Sequence, residues 1–145
     1  MSKISSNACK VADIMTENVI ALPSSAPILE AARQMRDFDV GVIVVKDGAK
    51  ACGLVTDRDI TVRVVAEGLD AATTPLSAVC TKNLAALSPE DGVDRAIELM
   101  RERAIRRAPV VFEERLIGIV SLGDLAIERD PNSVLGTISA AQPNH

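Results

Sequence analysis

The sequence has no tryptophan and no tyrosine, and its only aromatic residues are Phe38 and Phe112. That removes the aromatic platforms on which proteins stack single-stranded nucleic acid. A core must then come from aliphatic side chains, and 48% of the 145 residues are hydrophobic, enough for one domain or two small lobes. A surplus of positive charge is missing as well. Sixteen basic against 20 acidic residues leave a net charge of −4, which offers no electrostatic footprint for duplex DNA or an anionic membrane. We therefore expect neither nucleic acid nor membrane as a partner, and any phosphate must be held by local arginines. No run approaches the roughly 20 apolar residues that cross a bilayer, and residues 1–10 lack the apolar centre of an export signal.

Cysteine and histidine are scarce. Cys9, Cys52 and Cys80 are odd in number and form no Cys-x-x-Cys pair, which suits a reducing compartment, so a cytoplasmic protein is expected. We read the three as small residues in or near the core. A zinc or redox site built from them with His145 is the alternative, although the spacing matches no familiar ligand pattern. His145 is the single histidine. With no Ser-His or Cys-His pairing and no phosphate-binding glycine loop ending in lysine, the chain is not expected to be an enzyme or to carry a cofactor. Asp57 and Asp59 lie two residues apart near a helix start, so their carboxylates diverge.

What the sequence does have is a repeat. Sliding it by 65 residues without a gap aligns 11–63 with 76–128 and gives 11 identities in 53 positions, against about 3 or 4 expected by chance. Thr16 meets Thr81, Leu22 meets Leu87, Met35 meets Met100, Gly53 meets Gly118 and Asp59 meets Asp124. In the second copy Ser88, Pro89, Glu90 and Asp91 predict a helix start, followed by Val93, Ala96, Ile97 and Met100 at helical spacing. Its counterpart follows residues 24–27, with Ile28, Ala31, Met35 and Phe38 on one face. Two short β-branched runs come next in each copy, 42–45 and 52–55, then 109–112 and 116–120. A second helix is predicted from Asp57 to about Glu67, stopped by Gly68, and its counterpart from about Gly123 to Asp130. Extended pieces at 19–22 and 84–87 precede the first helices. The organisation read from this is one repeat over 8–68, a linker over 69–75, a second repeat over 76–130 and a tail over 131–145.

Gly53, Thr56 and Asp59 recur as Gly118, Ser121 and Asp124, a Gly-aliphatic-x-Thr/Ser-x-x-Asp pattern at a strand-to-helix turn. The glycine permits close approach, the hydroxyl sits beside backbone N–H groups that favour anions, and the aspartate one helical turn on can accept ribose hydroxyls. The same residue types serve as plain helix caps. Around them the copies differ: Arg58 and Arg63 flank the first pattern, where the second has Gly123 and Glu128. Arg106 and Arg107 in turn stand where the first has Gly41 and Val42.

With the Met35 and Met100 helices and the stretch from Arg106 to Val110, these motifs resemble a tandem pair of cystathionine-β-synthase (CBS) domains of the small stand-alone bacterial kind, over nearly the whole chain. The resemblance implies an α+β fold of two β-α-β-β-α repeats packed about a pseudo-twofold axis, a Bateman module. It implies a regulatory adenosine-nucleotide sensor, with AMP, ADP, ATP or a related adenosyl compound as ligand. Adenine would lie against Val40 and Gly41 in one site and Ile105 and Arg106 in the other, with Thr56, Ser121, Arg58, Arg63, Arg106 and Arg107 toward phosphate and Asp59 and Asp124 toward ribose. Thr16 and Lys82 complete the ligand-binding set. Gly123, Glu128 and Ser121 depart from the first motif and weaken phosphate preference at the second.

Similar proteins associate through their first helices, and Met35, Phe38 and Met100 are expected on apolar faces that one pair leaves partly uncovered. A homodimer that signals to a regulated protein follows, with the partly apolar segment 133–141 as a further surface for the partner. A ligand-free structural dimer and a cysteine-based metal or redox sensor are the competing readings.

Overall fold

The computed structural model describes residues 9–82 and 85–141. It is an α+β fold in which the two repeats are visible element by element, again 65 residues apart. In the first, β1 (Ala21–Pro23) leads to α2 (Ile28–Phe38) and a hairpin of β2 (Val42–Asp47) and β3 (Lys50–Thr56). α3 (Asp57–Ile60) follows and runs on into a π-helical turn, Thr61–Val65. In the second, α4 (Val93–Arg103), β4 (Arg107–Phe112), β5 (Arg115–Ser121) and α5 (Leu122–Arg129) follow in the same order. A four-residue helix α1 (Val11–Ile14) opens the first repeat, at the offset of the 3₁₀ turn Leu76–Ala78 that opens the second, and α6 (Val134–Ala140) follows the second.

The hairpins match to the bulge, which falls between Val45 and Lys46 in one and between Val110 and Val111 in the other. β1 adds to β2 in parallel, while Leu87 makes a single parallel bridge to Val110. Both long helices end on a residue in the left-handed conformation, Asp39 and Ala104, each with φ of 54°. The helix starts differ from expectation. Ser88 does not cap α4, which begins at Val93 after Gly92. Residues 88–91 instead close a turn on themselves, the Ser88 N–H donating to Asp91 Oδ2 at 2.8 Å, and the Asp91 carbonyl receives the Val11 N–H at 2.8 Å.

That last contact exposes how the compact units are drawn. One comprises 18–84 and the other 1–17 with 85–145, so each holds the leading segment of the opposite repeat. In the second unit Thr16 pairs with Ile119, and in the first Thr81 pairs with Leu54, each by two reciprocal backbone hydrogen bonds of 2.8–3.1 Å. The motif glycines make this approach possible. A Cβ on Gly53 would stand 2.8 Å from Cys80 Sγ and 2.9 Å from the Thr81 carbonyl oxygen, and one on Gly118 would stand 2.6 Å from Met15 Sδ and 2.9 Å from the Thr16 carbonyl oxygen. Gly53→Ala and Gly118→Ala should each cost about 1–3 kcal/mol by overpacking; urea unfolding midpoints equal to the parent would refute this account of the glycines.

Each unit has its own aliphatic core. Ile28, Ala31, Met35, Ile43, Val45, Val55, Val64 and Leu76 form one, and Val11, Leu87, Val93, Ala96, Met100, Val110 and Val120 belong to the other. Met35 and Met100 are therefore core residues, not an uncovered face, because the hairpin and the borrowed leading segment close over them; of the three only Phe38, the last residue of α2, is exposed. The linker after Gly68 is packed on the first repeat: the Ala71 and Thr74 carbonyls accept the first N–H groups of α2 from Leu29 and Ile28 at 3.0 and 2.9 Å. No helix among the described residues is long and apolar enough to cross a membrane.

Candidate functional site

Thr56 and Ser121 each end a strand in the extended conformation, φ −113° and −112°, and cap the helix that follows. Thr56 Oγ1 accepts the Asp59 N–H at 3.1 Å while Asp59 Oδ2 accepts the Thr56 N–H at 2.9 Å. Ser121 and Asp124 repeat the exchange at 3.1 and 2.8 Å. These are reciprocal capping boxes. Each hydroxyl oxygen thus already accepts one N–H and retains its own O–H to donate. One carboxylate oxygen is likewise committed, leaving Oδ1 of each aspartate outside the box as an acceptor.

The hairpin register brings the other expected residues to the same ends. Val42 lies opposite Thr56 and Arg107 opposite Ser121, so Val40, Gly41, Thr56, Asp57 and Asp59 gather in one unit and Ile105, Arg106, Arg107, Ser121 and Asp124 in the other. The helix is tied to the loop before the hairpin by Asp57 N–H to the Gly41 carbonyl, 3.1 Å, and by Leu122 N–H to the Arg106 carbonyl, 2.8 Å. Arg58 and Arg106 are exposed, Ile105 and Arg107 half-buried. Arg63 is engaged within its unit: Nη1 donates to the Val79 carbonyl at 2.9 Å, and Nε stands 3.9 Å from Asp59 Oδ1. A pair at that distance, on a half-exposed arginine, adds little stability. Thr16 sits on the edge of β5 through its bridge to Ile119, and Lys82, exposed, follows the matching bridge of Thr81 to Leu54.

Sequence reasoning weighed Asp57 only as a carboxylate diverging from Asp59 and left it out of the site, yet its carboxylate lies against Gly41, with Oδ2 3.3 Å from where a Cβ would be. The same reasoning missed Ser139 on α6, which lies against Gly123. Ser133 ahead of Val134, Leu135 and Ile138 was the available helix signal, and its Oγ does accept the Gly136 N–H at 2.9 Å.

The cysteines divide between the units, Cys9 in one and Cys52 and Cys80 in the other, and His145 lies outside the described residues. Burial pushes the Cys80 thiol up, as does the neighbouring Cys52. Burial and then the Glu128 carboxylate do the same for Cys9. Both shifts disfavour the thiolate that would bind metal or react. Among the described residues no three His, Cys, Asp or Glu side chains are grouped so as to hold a metal ion.

Two helix-hairpin-helix repeats, each ending a strand on a hydroxyl-capped helix, define a tandem repeat module with the same strand-to-helix motif in each copy. The CBS-domain family model matches residues 11–66 and 76–129, and the chain belongs to that family, whose paired domains are regulatory, ligand-binding modules. It is 39% identical to the CBS domain-containing protein YhcV of Bacillus subtilis over 88% of this chain and 90% of that one. A hexameric CBS-CP12 protein from bloom-forming cyanobacteria shares the fold at TM-score 0.76 and 30% identity, covering 86% of this chain and 74% of its own. Hypoxic response protein 1 of Mycobacterium tuberculosis is 29% identical over 88% of this chain and 90% of its own. The solved structure of Hypoxic Response Protein I with two coordinated zinc ions gives TM-score 0.74 at 29% identity, over 83% of this chain and 98% of that one.

Proposed function

We propose that this chain is a sensor that binds an adenosine nucleotide, AMP foremost and ADP, ATP or another adenosyl compound next, and reports its occupancy through a homodimer to a regulated protein. The observation that carries this reading is the duplication of one geometry: a hydroxyl with an O–H to give and an aspartate oxygen to accept, one helical turn apart, beside the loop that precedes each hairpin. A phosphate takes the donor and a ribose hydroxyl the acceptor, while the exposed Arg58 and Arg106 add positive charge. Self-association is supported by the hexameric relative. We assign the chain no catalytic step and no cofactor, and place it in the cytoplasm.

A thermal-shift series with AMP, ADP, ATP, NAD, S-adenosylmethionine and zinc, followed by calorimetry, tests this. AMP should raise the melting temperature, since a ligand at a hundred times its Kd stabilises the native state by about 2.7 kcal/mol, and light scattering should give a dimer mass. No response to any nucleotide would leave a ligand-free structural dimer. The zinc ions of Hypoxic Response Protein I motivate the last arm: a shift with zinc alone would favour a metal sensor.

A further inference from the structure

The repeats differ most where α6 lies. It runs antiparallel to α5: Ser139, near its end, rests on Gly123 in the first turn of α5, and Gly136, at its middle, rests on the Ala126 and Asp130 carbonyl oxygens toward the other end. A Cβ on Gly123 would stand 2.9 Å from Ser139 Oγ and 3.2 Å from Ser139 Cβ, and only 3.6 Å from Ser121 Oγ. The counterpart of Gly123 is Arg58, exposed and unroofed. Residues 69–75, which correspond by the repeat to the whole of α6, contain no helix and pack on the start of α2 instead. Glycine at 123 is thus explained by the neighbour it must admit. The antiparallel pairing also turns the carbonyl end of α6 toward the amide end of α5, partial negative charge to partial positive, where an anionic group would otherwise sit.

We propose that α6 is a built-in plug of the second motif: Ser139 and the carbonyl end of α6 take the space and the field that a phosphoryl group would use beside Ser121, so this motif opens only when α6 lifts. Within α6 only Gly136 is buried, while Val134, Leu135 and Ile138 are exposed, so little apolar burial holds the helix down. The plug rests on the reading of the motif as a phosphate-binding place, but its test does not need adenosine.

The test uses inorganic pyrophosphate and the backbone amide resonance of Gly123 in the full chain, with two variants. In Gly136→Ala the new methyl meets backbone oxygens and cannot be relieved by a side-chain rotation; in Ser139→Leu a larger side chain pushes from the other end of α6. Either variant should lift α6, and one suffices if the other fails to fold. Pyrophosphate should shift the Gly123 amide in the lifted variants with an apparent Kd at least tenfold lower than in the parent. Equal titrations in parent and variants, or no shift in any of them, would overturn the plug. If AMP binds no form of the chain while pyrophosphate behaves as expected, the nucleotide reading fails and the plug stands.

Discussion

Ile43→Ala should lower the stability by about 2–5 kcal/mol, whereas Phe38→Ala should change it by no more than about 0.5 kcal/mol. Ile43 has no exposed surface and lies at the centre of a core without a single aromatic ring, among Ile28, Met35, Val45 and Val55. Removing its three outer carbons forfeits their transfer free energy and leaves a void that β-branched neighbours, stiff about χ1, fill poorly. Phe38 is the larger side chain but is 62% exposed at the end of α2, so its truncation opens no cavity. The measurement is the urea midpoint of each variant, at concentrations where the assembly state is the same. A loss below 1 kcal/mol for Ile43→Ala would mean that the core collapses around small deletions, as a loosely packed aliphatic interior would.

Asp59→Asn and Asp59→Ala should part company. On the proposed function both remove a charge-assisted acceptor for a ribose hydroxyl and should weaken nucleotide binding at the first motif tenfold to a hundredfold, about 1.5–3 kcal/mol. Only alanine also strands the half-buried Thr56 N–H, which Asp59 Oδ2 now accepts, at a cost of about 1–3 kcal/mol in stability. An asparagine oxygen can still accept that N–H, so Asp59→Asn should keep the fold's stability within about 1 kcal/mol while losing affinity. The Asp124 variants should behave alike in stability, through the Ser121 N–H. Calorimetry gives affinity and thermal unfolding gives stability. Parent-like AMP affinity in Asp59→Asn would leave the aspartate a helix cap and nothing more.

These two outcomes bear on how much of the molecule was readable in its letters. The 65-residue repeat, the helices carrying Met35 and Met100 and the two hairpins follow from periodicity and β-branched runs, and they recur in the structure at the same offset. Thr56 and Asp59 were legible as a pair but not as one kind of pair, because a capping box and a ribose-and-phosphate contact call for the same residue types at the same spacing. Ser88 misled for a related reason: Ser, Pro and two acids suit a tight turn as well as a helix start. α1 is four residues long, too short for any periodicity. Four helical residues followed by a π turn, against eight regular ones in α5, left no mark in the letters either. The exchange of leading segments lay beyond pattern reading, since Thr16 and Ile119 are brought together by long-range packing and not by local preference.

That exchange imposes an order on synthesis. A chain leaves the ribosome from its first residue at about 5–20 residues per second. The unit spanning 18–84 is continuous, so it has every part it needs once its last residue is clear of the exit tunnel. The other unit opens with α1 and the segment to Thr16, whose partner Ile119 is made about a hundred residues later. During that interval of about 5–20 s the segment around Thr16, with the apolar Val11, Ile14 and Met15, waits without its final neighbours. A segment made before the continuous unit is therefore completed only after it, and a product interrupted between the two would carry a finished unit beside a loose apolar segment, a form suited to recognition by chaperones.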